Sequence, residues 1–218
     1  MPDIQFGGEG FQVDIEPNPW QSELAPEHAA LVGKPLPELR LPSTETTDVL
    51  LPLHQLGRSR IMIITLPQVA TEKHPLPEHL ADNPLAQGGT LVHQGLHDNY
   101  ENLASIGFYY TFVVTTQSVE ELREIIRPEP RQQFPGLSDP DLKLADLLNL
   151  PTFTVEGKRY YEPFAMILWD SLVERVVYPI TDCAGYARWA FNWARLRRPD
   201  LDFLNYNLDR GAYTRRNR

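Results

Sequence analysis

Ile61, Met62, Ile63, Ile64 and Leu66 form a short, nearly continuous apolar run rich in β-branched residues. Such a run predicts a strand buried on both faces, as at the centre of a helix-covered sheet. Pro67 stops it and a loop dense in Pro and His follows. From about Thr90 the spacing of Leu91, Leu96, Tyr100, Leu103 and Ile106 predicts a helix ending at Gly107. A loop that leaves a central strand and feeds a helix N-terminus is where α/β proteins place their chemistry, so the stretch from Ser59 to Gly107 is the place to look.

The rest of the chain can be ordered around that strand. Residues 1–30 carry few periodic apolar positions and several Pro and Gly, which predicts an arm lying on the body with Trp20 as an anchor. The prolines of LVGKPLPELRLPS (31–43) suit an edge strand or entry loop and exclude a central strand. FYYTFVVTTQ (108–117) is aromatic and β-branched, a second strand. SVEELREII follows, with Ser118 and Glu121 at capping-box spacing and Val119, Leu122, Ile125 and Ile126 in helical period. PEPRQQFPGLSDP reads as loop, and DPDLKLADLLNLP as a short helix with Leu142, Ala145 and Leu148 on one face. Phe164–Trp169 and Glu174–Tyr178 read as a hairpin joined by a turn at DSLV. Tyr186, Trp189, Ala190, Trp193 and Leu196 mark a closing helix that Pro199 ends. The order β-α-β-α-α-β-β-α predicts a sheet covered by helices on both faces.

Composition narrows the partners. The chain has 218 residues, 42% hydrophobic, enough for one full core. A formal charge of −9 argues against nucleic acid or a membrane surface as partner. The exception is a small basic tail, Arg210, Arg215, Arg216 and Arg218. No run approaches the ~20 apolar residues of a membrane span, and the first residues lack the pattern of a signal peptide. One cysteine, Cys183, allows neither an intramolecular disulfide nor a thiolate zinc site and fits a reducing, cytoplasmic setting.

Several local sequences, in this order, resemble the peroxiredoxins of the alkyl hydroperoxide reductase and thiol-specific antioxidant family. VGKPLPELRLPS is similar to the family's opening and IMIITLP to its first central strand. HDNYENLASIG is similar to the helix with Phe-Arg-Asp-x-Tyr, and FYYTFVVTTQSVEEL to the strand ending in Ser-x-Asp. GLSDPDLKLADLLNLP and ERVVYPITDCAGYARWAFNWAR are similar to its Leu-x-Asp-Pro segment and its closing strand and helix. The resemblance implies a thioredoxin-like three-layer α/β/α sandwich with a mixed central sheet over residues 31–198, with an insertion at about 75–89; the residues after Pro199 read as a C-terminal arm, 199–218. Leu201, Phe203, Leu204, Tyr206 and Leu208 suit that arm to docking. It also implies a homodimer.

The nucleophile departs from the family pattern. In Pro-x-x-x-Thr-x-x-Cys the matching residues are Pro67, Thr71 and His74, with histidine in the place of sulfur. Counting back from Gly107 instead matches Gly88-Gly89-Thr90 to Gly-Cys-Thr and puts Gly89 there. Neither offers the thiolate that peroxide reduction needs. Cys183, near the start of the closing helix, is expected to be a partly buried free thiol.

Three functions stay open. The first is a vacated cleft adapted to bind a small molecule or a protein partner inside a specialised metabolic pathway, with Pro67, Gly89, Thr90, Pro163 and Phe164 as its walls. Pro163 is the candidate for a cis-proline facing it. The second is a histidine enzyme, His74 acting beside a helix N-terminus with Thr71 and Arg159; the plainer reading of Arg159 is a surface ion pair. Here a transition metal is the conceivable cofactor, since His93 and His97 stand at i and i+4 and His79 is close in sequence, with Asp98 or Glu78 as carboxylate. The third is a structural subunit working through its aromatic faces and arms.

Overall fold

The computed structural model describes residues 24–45, 48–51, 60–126, 134–169 and 171–195. Trp20, the docking segment after Pro199 and the basic tail lie outside the described residues, as does Asp170 of the expected hairpin turn.

A five-stranded sheet in the order β5-β4-β3-β8-β9 forms the centre. Its strands are β3 (Arg60–Thr65), β4 (Phe108–Thr115), β5 (Gly136–Ser138), β8 (Phe164–Trp169) and β9 (Leu172–Val177). β3 pairs in parallel with β4 and antiparallel with β8, so the sheet is mixed. Every residue of β3 is buried, as the apolar run requires. Alternation then assigns its side chains to opposite layers: Met62 and Ile64 face one core, Ile61 and Ile63 the other.

The first core is closed by four helices: α3 (Pro84–Asp98), α4 (Tyr100–Ser105), α5 (Val119–Ile125) and α7 (Tyr186–Arg195). The second is closed by α6 (Lys143–Leu148) and a small antiparallel pair, β1 (Leu39–Leu41) with β2 (Val49–Leu51). α1 (Pro26–Ala29) lies near it, with Leu24 and Leu31 against the same core. This is the thioredoxin-like α/β/α arrangement. α5 carries the expected capping box: Ser118 Oγ accepts from Glu121 N–H at 3.2 Å and the Glu121 carboxylate accepts from Ser118 N–H at 2.8 Å.

Arg60 enters the apolar layer at the start of β3. Its guanidinium binds both Glu174 carboxylate oxygens at 2.8 and 3.0 Å and lies against the rings of Trp169 and Trp193. A planar cation can satisfy both partners at once, which a lysine could not.

Several expectations are corrected. The helix expected from Thr90 begins at Pro84, because the Asn83 side chain accepts from the Leu85 and Ala86 N–H groups. It breaks at Asn99 before α4, and Leu91 points to solvent, half exposed. Gly136–Ser138, read as loop, is an edge strand beside β4. A hairpin not foreseen, β6 (Thr152–Val155) with β7 (Lys158–Tyr161), packs through Tyr160 and Phe153 on α2 (Glu78–Ala81) and the first turn of α3. The expected insertion thus contains α2 and the start of α3, which share a small core with this hairpin. The cis peptide lies at Tyr178–Pro179, not before Pro163.

Candidate functional site

The stretch after β3 is fixed by bonds from the end of β4. Leu66 N–H donates to Val114 O at 2.9 Å and Thr116 Oγ1 to Pro67 O at 3.1 Å. The Gln117 side chain accepts from Val69 N–H at 2.7 Å and donates to Val69 O at 3.1 Å. Pro67, Gln68, Val69 and Ala70 are all buried. The chain then surfaces in a tight turn. Thr71 N–H donates to His74 O at 2.9 Å, and Thr71 Oγ1 accepts from His74 N–H at 3.2 Å. Thr71, Glu72 and Lys73 are exposed; His74 is half exposed, its Nδ1 3.7 Å from a Glu124 carboxylate oxygen on α5. The helix N-terminus expected beside His74 is occupied by Asn83 instead.

The second position matched to the nucleophile is closed by contact. A Cβ on Gly89 would stand 2.8 Å from Pro67 Cδ, 3.4 Å from Gln68 O and 3.6 Å from Leu66 Cβ. α3 thus lies directly on the end of β3, with no space for a side chain there. Gly88 does the same toward Cys183, whose Sγ would be 2.8 Å from an added Cβ. Cys183, far from this helix in sequence, is thus seated against it. Its Sγ donates to Ile180 O at 3.4 Å, and burial, helped by Asp182, pushes the thiol up. That shift opposes thiolate formation. Thr90 Oγ1 makes a long bond, 3.5 Å, to Ala86 O within the helix.

The histidines go to separate surroundings. His79 Nε2 is bonded to Tyr160 OH at 2.8 Å. His93 is buried on α3 against Phe134, ring centroids 5.4 Å apart, and its Nε2 has no partner among the described residues. Burial first, then the charge of His97, holds its pKa near 4, Asp98 acting weakly the other way. His97, one turn on, is exposed, with Nδ1 3.5 Å from the carboxylate of Asp98. Helical spacing gave the pair one face, but the edge of that face passes between solvent and core. Among the described residues no group of three or more His, Cys, Asp or Glu side chains is placed to hold a metal ion.

Arg159 pairs with Asp146 at 3.1 Å on the exposed side of β7, the surface ion pair that its plainer reading expects. Pro163 and Phe164 are buried; Phe164 packs edge-on against His28 and tilted against Tyr178. The strand end beside them carries bonds that sequence reasoning missed. Thr65 Oγ1 donates to Glu162 O at 3.0 Å, and Tyr178 OH donates to the Glu162 carboxylate at 3.0 Å. Burial and that carboxylate push the Tyr178 hydroxyl up to about 12. Asp139 was likewise unforeseen: it accepts from Lys143 and Leu144 N–H at 2.9 Å and from Tyr161 OH at 2.5 Å. Burial, then Asp139, pushes the Tyr161 hydroxyl far up, so it remains a donor. The one signal for Gln117 was its place at the end of Thr115-Thr116-Gln117, where the resembled strand ends in Ser-x-Asp.

No protein-family model matches the chain, and no curated protein matches it significantly. Solved structures do. A PrxQ mutant from Xylella fastidiosa superposes with a TM-score of 0.57 at 13% identity, covering 76% of this chain and 96% of its own. The peroxidoxin BcpB of Mycobacterium tuberculosis gives a TM-score of 0.56 at 17% identity, with the same coverage. Peroxiredoxin 5 of Alvinella pompejana gives 0.53 at 12% identity, covering 74% and 97%. The chain has a peroxiredoxin-like thioredoxin fold, and at these identities the likeness is one of fold.

Proposed function

We propose that this protein carries out no thiol peroxidase chemistry at the position its fold reserves for a nucleophile, and that it works by binding through the surface turn that follows it. The observation that carries this reading is the packing of Gly89 on Pro67, which leaves no room for a reactive side chain. Two others support it. His74, the alternative occupant, is a half-exposed turn residue beside Glu124, and Cys183 is a half-buried thiol pushed away from ionisation. Peroxide reduction requires a thiolate attacking the O–O bond, and a neutral thiol is a poor substitute.

The bound species is a protein partner rather than a small molecule. Pro67 to Ala70, which would floor a cleft, are buried, and the accessible feature is the Thr71–His74 turn with its neighbours on α5. Self-association is part of the proposal. Both outer edges of the sheet are already paired, β9 with residues 33–35 and β5 with residues 42–44, which favours faces and loops over strand addition. A reducing, cytoplasmic setting suits the single free thiol. The test is consumption of hydrogen peroxide with added dithiol, run beside Cys183→Ser. No turnover by either protein is expected; turnover that the substitution abolishes would refute the reading. Light scattering of the purified chain checks self-association, a monomer at micromolar concentration counting against it.

A further inference from the structure

Every polar atom of the Gln117 amide and main chain has a use. The side-chain oxygen accepts from Val69 N–H, the side-chain nitrogen donates to Val69 O, the main-chain N–H donates to Thr115 Oγ1, and the main-chain carbonyl accepts from Ser138 Oγ. Gln117 is itself buried, 8% exposed. The two bonds to Val69 reproduce, from a side chain, the paired exchange of N–H and C=O that a neighbouring strand would provide. Thr116 Oγ1 adds a third bond, to Pro67 O.

At neutral pH an amide is suited to this contact, because it accepts through its oxygen and donates through its nitrogen. A carboxylate accepts but cannot donate, so at this position it would satisfy Val69 N–H and repel Val69 O. An apolar residue would leave both main-chain groups buried without partners. The resembled strand ending, Ser-x-Asp, would place a carboxylate where this chain has Gln117.

We infer that Gln117 is the positioning residue of the candidate site, clamping Val69 so that the Thr71–His74 turn is presented as a fixed surface. The inference rests on reading that turn as the binding surface. The clamp fixes the chain two residues before the turn, and α3 lies on the same stretch through Gly89. Two independent contacts, one from the end of β4 to Pro67 and Val69 and one from α3 to Leu66, Pro67 and Gln68, thus hold this stretch, and the ordering cost of the turn is met before any partner arrives.

The test is amide hydrogen exchange of Val69, expressed as protection relative to an unstructured amide at the same pH. In the wild-type chain Val69 N–H is expected in the slow class with the β3 amides; exchange as fast as the exposed turn amides would overturn the clamp. Gln117→Glu is expected to exchange roughly tenfold faster at neutral pH and to recover on acidification, when the protonated acid can again donate to Val69 O. Gln117→Leu is expected to be fast at every pH. Gln117→Glu behaving like wild type throughout, or like Gln117→Leu throughout, would overturn the inference. Should Gln117→Glu not fold, the wild-type measurement decides alone. A turn that binds nothing while Val69 stays protected would sink the functional reading and leave the clamp standing.

Discussion

His93 makes the fold acid-sensitive in a way that can be worked out in advance. In the folded chain its pKa lies near 4, against 6.5 for an unhindered imidazole, because burial penalises the cation and His97 adds a like charge. The unfolded chain therefore binds this proton more readily than the folded one. Stability rises with pH across the window between the two values and is lost as pH falls from about 6.5 toward 4. Full protonation would cost about 3 kcal/mol, at 1.36 kcal/mol per pKa unit, and by about pH 5 the loss is already about 2 kcal/mol. Replacement with Met removes the titration, fills similar space and leaves no orphan nitrogen. Urea unfolding of both proteins at about pH 8 and about pH 5 isolates the effect, since other titrations cancel in the difference. The wild-type chain should lose about 2 kcal/mol more than His93→Met on that step. Equal losses would show that His93 is solvated or paired, and the burial argument would be wrong.

Two further substitutions test the packing, one at the site and one at the start of β3. Gly89→Ala would gain about 1 kcal/mol as an ordinary helical change, but its Cβ meets a proline ring at 2.8 Å, and overpacking costs about 1–3 kcal/mol. Net destabilisation in a denaturant titration is expected, and a more stable Gly89→Ala would show that space exists there. Glu174→Ala removes both carboxylate bonds from the buried Arg60 guanidinium beside Trp169 and Trp193 and should cost about 2 kcal/mol. A midpoint shift worth under about 1 kcal/mol would place that pair in the weak surface class.

Elements with a long or two-sided apolar signal could be read from the chain. β3, β4, the β8–β9 hairpin, the α5 capping box and α7 were legible because burial on a fixed period leaves a repeating pattern. β5 was not: three residues between prolines and acids have no period, and pairing with Val113–Thr115 and residues 42–44 makes them a strand. The start of α3 was hidden by Gly88 and Gly89, which look like loop until their neighbours Cys183 and Pro67 show why side chains are excluded. The sequence pointed to the stretch after β3 as the place to look and showed no cysteine in it. The site was not legible as a set of partners, since His79, His93, His97 and Arg159 each take a different neighbour that only tertiary structure supplies. Gln117 escaped notice because an amide at a strand end carries no pattern until Val69 is opposite it.

The central claim is that this scaffold has no working thiol where its fold would use one. Mass spectrometry of Cys183 after exposure to a small excess of hydrogen peroxide, followed over time, reads that claim at the one sulfur able to break it. The account predicts that the thiol persists unoxidised on the timescale of a free cysteine in a denatured control, or longer. Sulfenic acid formed faster than in that control, and reversed by dithiol, would contradict it.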